Sequence, residues 1–437
     1  FSDQDSIQPV RESPTTSLPD SGDLMTVPWG GATIDEEAWC LRALQSVTDV
    51  DPMDPLADLT VVVPSRRRQS YLLRQICFWV HRSVQLIIVD GSEEPLGRAV
   101  RDALERQPRV SYVHDSRSMS DRLQRAGRMI DTPFAVMLGD DEFQLPSGLR
   151  ESVMALRADP DLVGCMGQVV SFLPVGGFRR LTFYRAYRQM DGFEARQVEP
   201  VARVAAAFEE YTMATCYAVL TSATWRASWG SVLEYSSGHA AEIQQAMTVH
   251  LLGGFTTTNH LQMLRSIENP TDSVADAEAE GKIWFPEWWE SPQFLDERDR
   301  FVGALVDVLT GRGAGSPDRS TCIEWVRDAA ENFVAKNRSA LELATAPLSP
   351  TNSGQQVFEL VRAAVGRLPI GLNLVARKVR RASLKVFGCA AVDDYGSVSD
   401  LARSGRIDSI VFSEEVILDL QQIEKLVVEF HARRRGV

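Results

Sequence analysis

The sequence predicts an α/β protein in which a mostly parallel sheet is flanked by helices and followed by a largely helical C-terminal region. Three observations support this fold class. Unbroken apolar runs at 59–63, 86–89 and 134–138 have the length of strands that are buried on both faces. Segments with apolar residues at helical spacing separate these runs, which is typical of parallel strands joined by right-handed crossovers. Beyond about residue 290 the apolar spacing is mainly helical.

The individual elements follow from local patterns. Apolar spacing predicts helices, β-rich runs predict strands, and Gly or Pro clusters mark where they end. The predicted helices are 35–47, a segment around 72–80, 96–106, 118–130, 149–156, 242–252, 301–309, 322–334 and 414–431, and the predicted strands are 59–63, 86–89, 110–114, 134–138, 163–173, 211–220 and 255–258, with a hairpin or loop at 175–177.

Composition divides the chain into three predicted regions. Residues 1–33 are rich in Pro, Ser and Asp and poor in apolar groups, which predicts a flexible tail. Residues 34–290 carry the strand and helix alternation. Residues 291–437 are mostly helical, with a Pro- and Ser-containing linker near 344–354.

The overall totals exclude several classes of protein. A chain of 437 residues with 44% hydrophobic and 24% charged content is typical of a globular protein with a large core. A net charge of -13 argues against a general nucleic-acid binder. Six scattered cysteines without a C-x-x-C pair predict neither a zinc site nor a disulfide framework, and no apolar run is long enough to span a membrane. We therefore expect a cytoplasmic protein.

Acidic residues follow the strand at 134–138. Gly139 comes directly after it, and Asp140, Asp141 and Glu142 come next. The carboxyl ends of strands in open α/β sheets are where ligands bind, and clustered carboxylates suit Mg²⁺ or Mn²⁺. A polar turn that caps a core strand has the same sequence pattern, so both interpretations remain open here.

Three motifs in order give this chain a resemblance to a known family. V-V-V-P-S-R-R-R at 61–68, I-I-V-D-G-S at 87–92 and L-G-D-D-E-F-Q-L-P at 138–146 resemble the nucleotide-sugar half of GT-A glycosyltransferases, above all those of family 2. The resemblance covers about residues 58–260. It implies a GT-A (Rossmann-like) sheet and a nucleotide-diphosphate sugar as the donor substrate.

The resemblance also implies a metal site in the acidic motif. With Pro146 fixing the register, Asp141 takes the place of the metal-binding acid, and Asp140 and Glu142 assist it. The family's first acid is replaced by Gly139 in this chain. The implied cofactor is Mg²⁺ or Mn²⁺, which needs only one or two carboxylates beside phosphate and water.

Further residues are assigned to the donor by the same resemblance. Asp90 corresponds to the acid that hydrogen-bonds the nucleotide base, although Asp before Gly-Ser is also a common turn-former. The arginines after the first strand suit phosphate, although a solvated basic helix face is an equal alternative. The complete set is Pro64, Ser65, Arg66, Arg68, Asp90, Gly91, Arg128 and Asp140.

An inverting transfer needs a base for the acceptor hydroxyl. Within the resemblance, Glu242 at the start of a helix is the expected base, and His239 is the reserve candidate because of its near-neutral pKa. Glu in a first helical turn is also stabilised by the helix dipole without any catalytic role. The Gln-x-x-Arg-Trp signature of processive synthases is absent, which favours a single sugar addition.

The expected function is therefore an inverting, metal-dependent glycosyltransferase of the hexosyltransferase type (EC 2.4 class). Its acceptor would be a glycan, a lipid-linked molecule or a cell-surface polysaccharide. Gly139 motivates the alternative of a catalytically weak nucleotide-binding scaffold. A sugar-phosphate nucleotidyltransferase would need a Gly-rich, Arg-containing loop, which the sequence lacks.

Two segments beyond the motifs suggest surfaces. The basic and apolar stretch at 361–388 suggests peripheral contact with anionic lipid at the inner membrane face, binding of an anionic acceptor, or a solvated helix face. The aromatic cluster Trp284, Phe285, Trp288 and Trp289 indicates either core packing or a platform for an acceptor.

Overall fold

The computed structural model describes residues 32–47, 51–209, 211–268, 283–311, 318–345 and 394–434. Several predictions fall outside these residues, namely most of the N-terminal tail, an acidic loop at 271–280, most of the linker at 344–354 and the basic segment at 361–388. The strands are β1 Leu59–Ser65, β2 Gln85–Asp90, β3 Val110–His114, β4 Phe134–Met137, β5 Phe143–Gln144, β6 Leu162–Val175, β7 Arg180–Arg185, β8 Val219–Thr221, β9 Gly254–Ser266, β10 Asp394–Gly396, β11 Arg406–Ile407 and β12 Ile410–Val411.

Helices surround these strands. They are α1 Ile34–Gln45, α2 Gln69–Trp79, α3 Arg98–Leu104, α4 Met119–Met129, α5 Pro146–Ala158, α6 Pro200–Ala207, α7 Ser222–Ala227, α8 Ala240–Leu252, α9 Phe285–Glu290, α10 Leu295–Thr310, α11 Arg319–Thr345, α12 Val398–Ser404 and α13 Glu414–Arg434.

One sheet organises the molecule. Its strand order is β11-β12-β9-β6-β8-β4-β1-β2-β3, and β4, β1, β2 and β3 are all parallel to one another. β8 runs antiparallel to β4 and β6, while β6 and β9 are again parallel. The expected α/β fold with a mostly parallel sheet and a largely helical C-terminal region is therefore confirmed.

The central strands are buried on both faces, as their unbroken apolar sequences predict. Successive residues of a strand point to opposite faces, so Val61 and Val63 pack on the side of α1, α2 and α13, whereas Val62 packs on the side of α4. A third cluster joins α8 to the helices α9, α10 and α11. The sheet thus has a helical layer on each face.

The predicted core strand at 211–220 is wrong for most of its length. Thr212 begins a 3₁₀ turn over Met213–Tyr217, because its hydroxyl accepts a hydrogen bond from the amide of Ala214. Only Val219–Thr221 is a strand. Thr capping outweighs the β propensity of this run, which sequence spacing alone does not show.

The C-terminal segment also contributes strands that the sequence did not predict. β10 pairs antiparallel with β7, and β12 pairs parallel with β9. These strands have only two or three residues, so they carry no readable periodicity. The last helix, α13, packs against α2 and α5, so this segment forms part of the α/β core.

Two smaller points complete the fold. Within the described ranges, no helix combines the length and the apolar content that crossing a membrane requires. The described cysteines are buried, and none of them forms a disulfide with another described residue; they are Cys40, Cys77, Cys165, Cys216 and Cys322.

Candidate functional site

The three sequence motifs meet at one edge of the sheet. Ser65 and Asp90 are direct neighbours at the ends of β1 and β2. The Ser65 hydroxyl donates a hydrogen bond to Asp140 Oδ2 at 2.8 Å, and the Gly91 amide donates to the Ser65 carbonyl at 2.7 Å. The structure therefore brings together Pro64, at the end of β1, with Ser65, Asp90, Gly91 and Asp140, as their positions after parallel strands predict.

The turn after β1 has an unusual backbone. Arg67 has a φ of 59°, a left-handed conformation that non-glycine residues rarely adopt. Its amide donates to the Ser92 hydroxyl at 2.9 Å, and its side chain pairs with Glu93, while Arg66 is exposed. Such conformations persist where the surrounding structure enforces them, and they are common at functional sites.

Arg68 bridges the first two acids of the acidic loop. Its guanidinium lies 2.9 Å from Asp140 Oδ1 and 2.5 Å from Asp141 Oδ2. The guanidinium also lies over the Tyr71 ring, 5.0 Å from the centroid. With its side chain only 11% exposed, Arg68 supplies positive charge between the two carboxylates that the resemblance assigned to a metal.

Side chains of α2 fix the backbone of the acidic loop. Arg74 donates to the Asp141 carbonyl at 2.9 Å. Gln75 donates to the carbonyls of Asp140 at 3.0 Å and Glu142 at 2.5 Å. Since all three carbonyls are held by α2, the orientation of the loop is set independently of any ligand.

Arg74 is itself held in a buried network that reaches α13. Its guanidinium makes a bidentate pair with Glu268 at 3.1 and 2.9 Å and packs between the rings of Tyr71, Phe143 and Phe430. His431 contacts Glu268 at 2.5 Å. Burial alone would raise the pKa of Glu268, but Arg74 and His431 outweigh it and hold that pKa at about 2. The C-terminal helix is thereby linked to the acidic loop.

Glu142 fills the space beside Gly139. A Cβ at position 139 would lie 2.7 Å from Glu142 Oε2, so any side chain there would force the Glu142 carboxyl to shift. Burial raises the pKa of Glu142 to about 8, with a further contribution from Asp141, and Oε2 has no hydrogen-bond partner among the described residues. The glycine that replaces the first acid therefore makes room for a later acid of the same loop.

Each of the three acids already has a neighbour within the protein. Among the described residues, no group of three His, Cys, Asp or Glu side chains is arranged to hold an ion. Asp140 and Asp141 face the guanidinium of Arg68, and Glu142 faces Gly139. A metal at Asp141 thus stays a prediction, and it requires Arg68 to leave the carboxylates.

Asp90 is fully buried and already accepts several hydrogen bonds. Its donors are Gln69 Nε2 at 3.1 Å, the Tyr112 hydroxyl at 2.8 Å and the Ser92 amide at 2.9 Å. A carboxylate offers about four acceptor positions, so at most one remains for a nucleotide base. This arrangement suits the turn-forming interpretation, and base recognition by Asp90 stays a prediction.

Arg122 occupies the place that sequence reasoning gave to Arg128. Arg128 is exposed in the last turn of α4, near the start of β4, at the opposite edge of the sheet from Asp140. Arg122 is buried and donates to the carbonyls of Ser65 and Val89. A Cβ at Gly91 would lie 2.5 Å from the Arg122 guanidinium, so this glycine allows the arginine to approach.

The expected base is close enough to the acidic loop to share a charged neighbour with it. Glu242 is in the first turn of α8 with a partly exposed side chain, and burial raises its pKa to about 7, against the opposing effect of Arg265. Arg265 also acts on Glu142. One guanidinium thus influences both acids. The antiparallel register pairs Phe143 with Leu264, which places Arg265 beside Glu142 at the end of the acidic loop.

The aromatic cluster has two roles. Phe285 and Trp288 are buried in the core of the C-terminal helices, so core packing is confirmed for them. Trp284 is 48% exposed and stacks on the His239 ring at 4.7 Å between centroids. Burial lowers the pKa of His239, which keeps it neutral. His239 is the N-cap residue of α8 and lies three residues before Glu242.

Sequence reasoning missed Gln75, Arg122 and Arg265. Gln75 and Arg122 act on backbone carbonyls that are distant along the chain, and no local motif marks such contacts. Arg265 lies at the end of β9, in a region where the resemblance has no motif. The glycine at position 91 was the one available signal, since it permits a close approach.

Comparisons with known proteins give distant structural similarity. No model of a protein family matches the sequence, and no curated protein matches it. The crystal structure of S. aureus TarS 1-349 in complex with UDP-GlcNAc is 10% identical, with a TM-score of 0.43 over 86% of this chain and 92% of that chain. S. aureus TarS 1-349 without that ligand is 9% identical, with a TM-score of 0.42 over 87% and 92%. The fold assignment above rests on this chain's own strand order and register.

Proposed function

We propose that this chain is an inverting glycosyltransferase that moves a sugar from a nucleotide-diphosphate sugar to a hydroxyl acceptor. The observation that carries the proposal is the position of Glu242. Its carboxyl, whose pKa burial raises to about 7, lies in the first turn of α8 and is acted on by Arg265, which also acts on Glu142 of the acidic loop. Perturbed titratable groups that meet in a cleft are typical of catalytic sites.

The chemistry follows from a single displacement. The acceptor oxygen attacks the anomeric carbon, its proton passes to Glu242, and the bond between that carbon and the diphosphate breaks. A base with a pKa of about 7 is well matched to proton abstraction near neutral pH. Because attack and departure occur on opposite faces of the sugar, the configuration inverts.

The donor side is supported by the turns after β1 and β2. Ser65 and Gly91 line the edge of the sheet, and Arg66 is exposed beside them. A divalent metal, implied by the resemblance, would supply charge for the departing diphosphate. It remains part of the proposal only if it displaces Arg68 from Asp140 and Asp141.

The acceptor side is supported by α8 and the exposed aromatic pair. Trp284 and His239 stack close to the start of the helix that carries Glu242. Aromatic faces favour sugar rings through apolar contact, so a glycan or a lipid-linked saccharide fits this side of the cleft.

Donor turnover tests the proposal. The wild-type chain is incubated with a panel of nucleotide-diphosphate sugars, with Mn²⁺ or with EDTA, and the free nucleoside diphosphate is measured. We expect turnover of at least one donor and a fall of about a hundredfold or more in Glu242→Gln, the range for loss of a general base. Glu414→Gln, an exposed first-turn glutamate of α13, is the matched control. Equal turnover by Glu242→Gln and wild type would refute Glu242 as the base.

A nucleotide-binding scaffold is the second candidate. The closed arrangement of Arg68 with Asp140 and Asp141 favours it, since these carboxylates already have a cationic partner. In that case nucleoside diphosphates bind the wild type, but no donor is consumed with or without Mn²⁺. Calorimetric binding beside the turnover assay therefore separates the two functions.

A further inference from the structure

Arg265 lies near the end of β9, directly after Leu264, which pairs with Phe143 at the end of the acidic loop. Its guanidinium lies 5.2 Å from the centroid of the Tyr187 ring, and its charge acts on Glu142 and on Glu242. The side chain is half-buried. Arg265 thus occupies the middle of the proposed active site, between the donor and acceptor sides.

Its hydrogen-bonding capacity is unused by the protein. Within the part of the chain that the structure describes, the Arg265 guanidinium makes no hydrogen bond or ion pair. It contacts the Tyr187 ring and acts on other groups only through longer-range electrostatics. Arg68, Arg74 and Arg122, by contrast, all bind protein acceptors. A guanidinium has five N–H donors, so Arg265 offers them to a ligand.

The Tyr187 ring restricts how such a ligand can approach. An arginine that stacks on an aromatic face keeps its planar edge open. Tyr187 itself has a φ of 47°, a left-handed backbone that holds this ring at the end of β7. The open edge is a fork of parallel N–H groups, which matches the oxygens of a phosphate group.

We propose that Arg265 binds a phosphate group of the ligand that enters the cleft between Glu142 and Glu242. This inference rests on the proposed function and adds the chemical class of the ligand group that Arg265 binds. The phosphate could belong to the donor diphosphate or to a phosphorylated acceptor, since both must come within reach of the anomeric carbon. Phosphate is favoured over a neutral hydroxyl because the guanidinium can form charge-assisted, bidentate hydrogen bonds with it, and these are about twice as strong as neutral ones.

Binding there has a consequence for the proposed base. A phosphate on Arg265 neutralises the guanidinium, which then opposes the burial of Glu242 less strongly. The pKa of Glu242 therefore rises as the site fills, which makes its carboxylate a stronger base but lowers the fraction that is ionised at neutral pH.

Isothermal titration calorimetry on the full chain tests the proposal. The proteins are wild type, Arg265→Gln, Arg265→Lys and the control Arg180→Gln, which alters an exposed strand arginine on β7. The probes are inorganic pyrophosphate, a panel of nucleoside diphosphates, the matching nucleosides, and a hexose phosphate added to nucleotide-saturated protein. Circular dichroism confirms that each variant is folded.

We expect Arg265→Gln to weaken binding of pyrophosphate and nucleoside diphosphate by about ten- to a hundredfold, the range for a charge-assisted hydrogen bond. Arg265→Lys should retain part of the affinity, and nucleoside binding should not change. If nucleotide affinity is unchanged but hexose phosphate binding is lost, the phosphate belongs to the acceptor, and the proposal holds. If no anion depends on Arg265, the proposal is overturned.

The two proposals fail in different ways. Pyrophosphate binding that depends on Arg265, without any nucleotide binding or donor turnover, would support the anion site and refute the glycosyltransferase. Nucleotide binding and donor turnover that are unchanged in Arg265→Gln, together with unchanged binding of pyrophosphate and of hexose phosphate, would support the glycosyltransferase and refute the anion site.

Discussion

Replacing Arg265 by Gln should raise the pKa of Glu242. In the wild type this pKa is about 7 rather than 4.5, a difference of about 2.5 units, so burial costs the carboxylate about 3 kcal/mol. Arg265 opposes that cost, because its positive charge favours the ionised form. Loss of an opposite charge typically shifts a pKa by about 1–3 units, and the partial exposure of Glu242 places the expected shift near the lower end, at about one unit.

The direction and the size of this shift in the pKa of Glu242 can be measured without any substrate. At pH 7 about half of Glu242 should be ionised in the wild type, and about a tenth in Arg265→Gln. Carbon-13 NMR of protein labelled at the glutamate carboxyl reports this titration, and Glu242→Gln identifies the resonance. Arg180→Gln serves as the control. A wild-type titration near 4.5, or an identical midpoint in Arg265→Gln, would refute the assignment of these two groups to one cleft.

Three stability predictions follow from other contacts. Glu242→Gln should stabilise the fold by up to about 3 kcal/mol at pH 8 but not at pH 4. The folded pKa of Glu242 is raised, so its contribution to the free energy of unfolding is lost as pH rises from the unfolded pKa to about 7. Chemical denaturation at both pH values measures this, and Glu414→Gln should show no change. Glu268→Gln should lower the free energy of unfolding by about 3–5 kcal/mol at pH 7, because it leaves the buried Arg74 guanidinium unpaired. The stabilisation by Glu268 in the wild type should be lost only as pH falls from about 4.5 through about 2. An unchanged denaturation midpoint at pH 7 would contradict this network. Gly139→Asp should destabilise the fold through its clash with Glu142. Adding Glu142→Ala should recover about 1–3 kcal/mol of the free energy of unfolding in a double-mutant cycle. Strictly additive effects of the two substitutions would show that the two side chains are not in contact.

Much of the fold was readable from the sequence because its strands are buried on both faces. The apolar runs that became β1, β2 and β4 have no polar interruption, and the helices between them have clear apolar faces. The predictions were wrong or missing where an element depends on a single contact. The Thr212 cap changed a predicted strand into a 3₁₀ turn, and β12 exists because its edge meets β9.

The residues of the candidate site were likewise predicted only in part. Motifs at the ends of parallel strands predicted that Ser65, Asp90 and Asp140 would meet, because register places strand ends side by side. The partners of these residues were not predicted. Arg68 closes on the acids and Arg265 remains open to the cleft, although both are arginines without a distinguishing local pattern. Their difference arises only from the distances to other elements.

A crystal structure of the wild-type chain with a bound nucleotide-diphosphate sugar and Mn²⁺ would test the central claim most directly. We expect the diphosphate within hydrogen-bonding distance of the Arg265 guanidinium and the anomeric carbon facing Glu242. The same density would show whether a metal beside Asp141 displaces Arg68. A nucleotide bound away from the carboxyl ends of β1, β2 and β4, or a sugar that faces away from Glu242, would contradict the account.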